Sequence, residues 1–198
     1  MDNLIINTTL WYWYQQIFKL KGGKSNRIVP FVGQVALHRI TNPDVDKRLK
    51  VLIFRLESLQ DECVGLMDRD VKEYEKIIRA IQMPKKTRSA QTSREKALQE
   101  AKIRAGAPPM MLMEYGLEVL KIGFILIQEG PKVTVADEAV AMEVACSCLR
   151  GGIWLTEANL AGITDIEYVK QKIEVLEDLK TEAEDLYVEA KEELKKRF

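Results

Sequence analysis

The chain has 198 residues, 46% of them hydrophobic, and its 30 basic and 30 acidic side chains cancel to zero net charge. That length and apolar content supply one sizeable core, and the balanced charge sets up no global field that would draw in nucleic acid or an anionic membrane. Three cysteines (Cys63, Cys146, Cys148) and a single histidine, His38, lack the spacing of a metal site, so no bound metal is expected.

No apolar run is long enough to span a bilayer. The first thirty residues do not follow signal-peptide order, because their basic residues come after the apolar part. The expectation is a cytoplasmic protein with reduced thiols acting as small hydrophobes.

Residues 1–42 read as an N-terminal arm or first helix. Trp11, Tyr12, Trp13, Tyr14 and Phe18 would cover all sides of a helix, so this arm is expected to pack on its own bundle or on a second subunit. Gly22, Gly23, Lys24 and Ser25 form a loop that ends like a phosphate-binding motif. The motif would need a glycine at position 18, where the chain has Phe18, and no strand precedes it.

The architecture reads as an all-α, mostly antiparallel bundle of about five long helices, with residues 43–198 as the bundle itself. Asn42-Pro43-Asp44 is a helix start, with cap, first-position proline and first-turn acid. From there to about Met83 apolar residues recur at three-four spacing, and Asp70 lies next to that stripe, one turn before Tyr74. Pro84–Gln91 is a solvated break, and Thr92-Ser93 with Glu95 opens the next helix.

Pro108-Pro109 should break or kink that helix, after which Met110–Ile127 resumes an apolar run. Val133–Asp165, rich in Ala, Cys and Gly, reads as the central and most buried helix, with Thr134 as its cap and Asp137 in its first turn. A last amphipathic helix runs from Asp165 to Arg197, with Ile166, Val169, Ile173, Leu176 and Ala183 on its inner face.

Three segments, in this order, resemble the cyclodeaminase/cyclohydrolase family. The first is Asp68-Arg69-Asp70 through Tyr74, with Met83-Pro84-Lys85 beyond it. The second is Ala105-Gly106-Ala107-Pro108-Pro109, where Pro109 falls on the family's kinking proline. The third is Val133–Asp165, where Asp137, Arg150-Gly151 and Asn159-Leu160 match the family's pattern. The resemblance spans roughly residues 44–197.

It implies a folate enzyme, either 5,10-methenyltetrahydrofolate cyclohydrolase or formimidoyltetrahydrofolate cyclodeaminase. Its substrate would be a tetrahydrofolate derivative, with no further cofactor. No glutamate formiminotransferase domain is attached here, which favours the hydrolase. The glycine loop at Gly22-Gly23 lacks the family's proline and one of its glycines. A catalytically inactive bundle that binds folate or a protein partner is therefore the second reading.

Both family reactions act on the one-carbon unit between N5 and N10, and both need a carboxylate that stabilises a cation and moves a proton. The resemblance assigns that work to Asp70 and Asp137, which are expected to converge on one apolar cleft. It assigns substrate binding to Gly22, Gly23, Ser25, Arg150 and Asn159, with Lys24 and Arg27 as further candidates for a basic rim. For Arg150 an ion pair with Asp137 or Glu143 is an equal alternative. Apolar helix faces and the aromatic arm point to a homodimer.

Overall fold

In the computed structural model of the protein, the described residues are 40–198. They form α1 (Pro43–Gln82), α2 (Arg88–Ala105), α3 (Ala107–Glu129), a single 3₁₀ turn (Lys132–Thr134), α4 (Val135–Leu160) and α5 (Ile166–Arg197). No strand occurs among them. The all-α expectation holds, and so do most of the helix ends.

Asn42 caps α1, its Oδ1 accepting from the Asp44 and Val45 amides, with Pro43 next and Asp44 and Asp46 in the first turn. Asp165 caps α5 by accepting from the Tyr168 amide at 3.0 Å. The second helix starts earlier than its sequence suggests. Thr87 accepts from the Ala90 amide at 3.2 Å, so the helix opens at Arg88 and the break shrinks to the turn around Pro84.

Alpha2 and α3 are one rod with a bend. Only Gly106 separates them, and its backbone is itself helical, at φ −74° and ψ −17°. Pro108 and Pro109 occupy the first turn of α3. There a missing N–H costs least, because first-turn amides have no partner within their own helix. The expected kink at Pro108-Pro109 is present.

Alpha3 is the hub. It packs against α1, α4 and α5, and its Gly116 and Gly123 let α4 approach closely at Leu149 and Met142. The core is built from Leu117, Leu120, Leu126 and Ile127 of α3 with Leu49, Leu56, Leu59, Met142, Ala145, Leu149, Ala183 and Leu194 around them. This corrects the expectation that Val133–Asp165 is the most enclosed helix. Alpha4 packs against α2, α3 and α5 over most of its circumference, but among the described residues one stripe stays uncovered: Val140 and Trp154 are 53% and 73% exposed. Ile166 and Ile173, expected on the inner face of α5, also face outward.

Two polar clusters tie the bundle. Arg55 of α1 holds Glu118 of α3 through two bonds, at 2.6 and 2.7 Å, and reaches Glu62 at 2.6 Å. At the far end, Arg197 donates to the Gly130 carbonyl, and buried Glu138 meets the Thr134 hydroxyl at 2.6 Å. Thr134 does not cap α4 as expected, because its hydroxyl also reaches the Pro131 carbonyl at 2.8 Å.

A hydroxyl carries one proton, so both Thr134 contacts are satisfied together when Glu138 is protonated and donates. Burial pushes the Glu138 carboxyl up to about 6, against the pull of Thr134 and Arg197, so the protonated arrangement takes over as pH falls below that value. A side chain at Gly130 would meet the Leu126 carbonyl at 2.5 Å and Glu138 Oε1 at 2.6 Å, so only glycine fits.

Gly152 of α4 sits against the start of α3. A Cβ there would lie 2.5 Å from Met113 Cγ, and Met113 is fully buried with no room to swing away. Gly152→Ala should therefore destabilise the fold by roughly 1–3 kcal/mol through overpacking. Urea denaturation monitored by helical circular dichroism would measure it, and an unchanged midpoint would contradict the packing.

Candidate functional site

The kink leaves two backbone acceptors without their usual helical donors, and the Gly106 N–H turns to the Arg104 carbonyl instead. Pro109 has no N–H to give the Ala105 carbonyl four residues earlier, and Pro108 has none for Arg104. Alpha4 supplies part of what is missing. Gly152, Thr156 and Asn159 follow one another at helical spacing and so share one face. Gly152 lies against Met113, with the Pro109 carbonyl 3.5 Å from where its Cβ would be. Thr156 approaches Met113 Sδ at 3.7 Å, and Asn159 Nδ2 donates to the Ala105 carbonyl at 3.4 Å. The half-buried Asn159 thus stands at the bend.

Asp70 stands at the same level. Alpha1 and α2 are antiparallel, and Arg94 Nε donates to the Ile81 carbonyl at 3.2 Å. Eleven residues back along α1 is Asp70, and eleven forward along α2 is Ala105. Arg69 Nη1, which contacts Met111 Sδ at 3.4 Å, fixes the same register against α3.

Cys63, Met67, Asp70, Tyr74 and Ile77 fall on one side of α1 at helical spacing. Cys63 is buried and the other four are half-buried. Asp70 is thus an acid in the middle of an apolar stripe. Among the described residues nothing donates to its carboxylate or pairs with it. Burial alone pushes its carboxyl from 3.8 up to about 6. A carboxylate desolvated without compensation weakens the fold, so sites of this kind tend to be kept for chemistry.

The second expected acid lies elsewhere. Asp137 is exposed in the first turn of α4, level with Gly130 at the opposite end of α3. Met111 and Gly130 are nineteen residues apart, so at 1.5 Å per residue Asp70 and Asp137 are about 30 Å from one another. They do not converge within one chain. Pattern matching chose Asp137, yet the acid that turns inward is its neighbour Glu138. The signal available in the sequence was phase: Glu138 is spaced with Ala141, Met142 and Ala145, the buried side of α4.

Arg150 forms neither ion pair considered for it. It is exposed and stacks 5.7 Å from the centre of the Tyr187 ring, on the α5 side, and the Tyr187 hydroxyl is bonded to Glu143. Cys146, Leu149, Arg150 and Ala183 line a void of about 10 Å³ there, room for about one water and not for a pterin. Gly22, Gly23 and Ser25, with Lys24 and Arg27, lie outside the described residues.

Sequence reasoning missed the cations near Asp70. Arg69, Lys72 and Arg104 are exposed at this level, and among the described residues no carboxylate pairs with them. No group of three or more metal-ligating side chains occurs among the described residues. All three cysteines are free and buried, and burial pushes the Cys63 and Cys148 thiols up to about 12.

The bend, its α4 support and the lone acid are the arrangement to set beside known proteins. The formiminotransferase-cyclodeaminase family model matches residues 20–178. The chain belongs to that family. It is similar to the methenyltetrahydrofolate cyclohydrolase of Methylorubrum extorquens, with 24% identity over 164 residues, 83% of this chain and 79% of the relative. Its fold is similar to that of the formiminotetrahydrofolate cyclodeaminase of Thermotoga maritima. The TM-score is 0.79 at 17% identity, covering 96% of this chain and 87% of that one.

Asp70 gives the candidate site a stability signature. A carboxyl whose folded pKa is raised stabilises most when protonated, and that contribution is lost as pH rises from about 4 through about 6. Asp70→Asn should therefore match the wild type at pH 4 and exceed it at pH 8 by on the order of 1–2 kcal/mol. This is discounted from the full shift because Asp70 is partly solvated. Chemical denaturation at the two pH values checks it, and equal stability at both would show Asp70 to be well solvated.

Proposed function

We propose that the protein is a folate one-carbon enzyme, a 5,10-methenyltetrahydrofolate cyclohydrolase working as a cytoplasmic homodimer, with the folate as substrate and no further cofactor. One observation carries the reading: Asp70, an acid without a partner in the middle of an apolar stripe beside a proline bend.

The methenyl group is a delocalised cation, and a half-buried carboxylate stabilises positive charge far better than water does. Water adds to the methenyl carbon as Asp70 takes one of its protons, and the carbon–N5 bond then opens as the remaining hydroxyl proton passes to N5 and the carbonyl forms, leaving the formyl group on N10. A base with pKa near 6 is ionised at neutral pH and still accepts a proton readily.

Asn159, already donating to the Ala105 carbonyl, fixes the bend that forms the floor of the site. Arg69, Lys72 and Arg104 offer a basic rim to the anionic glutamate tail. Arg150 is replaced in that role, since it is committed to Tyr187 on another face. Gly22, Gly23 and Ser25 keep the substrate-binding role that the resemblance implies. The named relative favours the hydrolase. The raised Asp70 carboxyl also suits the deaminase, where it would give its proton to departing ammonia after N10 attacks the formimidoyl carbon. Both substrates therefore belong in the assay.

Loss of methenyltetrahydrofolate absorbance above the buffer rate is the expected result for the wild type. Asp70→Asn should lower kcat/KM by on the order of 10²–10⁴ with the fold intact. In the wild type, kcat/KM should rise with pH through about 6 and then level off, as the free enzyme's base ionises. An unchanged rate in Asp70→Asn would remove Asp70 from the reaction.

A further inference from the structure

The last turn of α4 is tied to the last turn of α2, and the ties are unequal. Asn159 Nδ2 reaches the Ala105 carbonyl at 3.4 Å, near the limit of a hydrogen bond. One turn back from Ala105 along α2 is Lys102, and one turn beyond Asn159 is Gly162. Lys102 Nζ donates to the Gly162 carbonyl at 2.7 Å, and Gln99 Nε2 donates to the same oxygen at 3.2 Å. The side-chain oxygen of Gln99 accepts from the Thr164 amide at 2.9 Å. Gln99 and Lys102 share one face of α2, and together they hold the α4–α5 connection by a carbonyl and by an N–H.

Gly162 is shaped for this clamp. A Cβ there would lie 2.5 Å from Lys102 Nζ and 3.1 Å from Lys102 Cε, so the absence of a side chain gives the ammonium its place. Lys102 is half-buried, and its charge stands at the carbonyl end of α4, where the helix dipole favours a cation. Arg104, two residues on, is exposed. The two cations therefore divide the work: Arg104 faces solvent at the rim, and Lys102 is spent on the fold's interior.

Apolar packing contributes little to the spacing of these two helices. The buried residues of α2 are Ala101 and Ala105, whose side chains are single methyl groups. A charge-assisted hydrogen bond is roughly twice as strong as a neutral one, and the Asn159 bond is both neutral and long. The Lys102 bond thus sets the approach of α4 to α2, and the Asn159 bond follows it.

We propose that Lys102, with Gln99, is a positioning residue of the folate site. By holding the Gly162 carbonyl it sets how closely Asn159 grips the bend, and so where the floor of the site stands against Asp70. The proposal rests on the reading of the Asp70 site as the folate site.

The test is a double-mutant cycle between Lys102→Met, which keeps an unbranched stem and loses the donor, and Asn159→Ala. Each should lower kcat for methenyltetrahydrofolate by on the order of tenfold, as a small displacement at a distance does. Because Lys102 acts through Asn159, the double variant should be no slower than the slower single one. Losses that multiply to on the order of a hundredfold would overturn the proposal. So would an unchanged kcat in Lys102→Met, since a merely structural role lowers the melting temperature and leaves the folded protein's kcat alone.

A second measurement reads the grip without activity. By NMR, the side-chain amide protons of Asn159, assigned by their loss in Asn159→Ala, should exchange with water faster in Lys102→Met than in the wild type. The Thr164 backbone amide should quicken with them. Quickening confined to Thr164 would show a clamp local to the connection and overturn the proposal. If the wild type turns over no folate at all, the proposed function falls by itself, and the Asn159 exchange still decides whether Lys102 positions Asn159.

Discussion

Two absent hydrogens shape this protein. Pro108 and Pro109 cannot donate to Arg104 and Ala105, so the α2–α3 rod bends at Gly106 and exposes backbone oxygen inside a helical bundle. Alpha4 meets this demand with the Asn159 amide, which donates to the Ala105 carbonyl, while the absence of a side chain at Gly152 lets α4 approach Met113. The bend then presents Asn159 and Asp70 at one level, although they come from helices far apart in sequence. Had the rod been straight, the Ala105 carbonyl would be tied within its own helix and Asn159 would have nothing to hold.

Much of the fold was legible in the sequence because it is set by local chemistry. Asn42-Pro43-Asp44 starts a helix by capping, and the prolines at 108 and 109 bend one wherever they occur. Asp70 was legible too, since it interrupts an apolar stripe. Three features were not. Thr87 starts α2 although Thr92-Ser93 with Glu95 carries the stronger capping signature, because both patterns are compatible with the same helix. The uncovered side of α4 could not be seen, since a helix apolar all round does not reveal which face its neighbours leave open. The distance between Asp70 and Asp137 depends on which end of α3 each helix meets, and that is a property of topology that no residue pattern encodes.

The energetic pattern agrees with this division. Arg55 with Glu118 and Glu62 is a compensated cluster, each charge held by another, and it cross-links α1 to α3. Asp70 has no such compensation. Folded proteins dispense with uncompensated buried acids unless something other than stability retains them. Burial raises Glu138 too, but Thr134 and Arg197 stand beside it, whereas among the described residues Asp70 has neither a donor nor a cation, and that contrast sets it apart.

Helix ends usually fray, because their last carbonyls and side chains belong to solvent. Alpha5 is different. Its final residue, Arg197, reaches across to the Gly130 carbonyl and lies close enough to Glu138 to favour its ionised form. The last turn is thus anchored to the connection between two other helices. Backbone amides there should exchange with deuterium as slowly as amides deep in the bundle, and loosening that terminus would free the start of α4 as well.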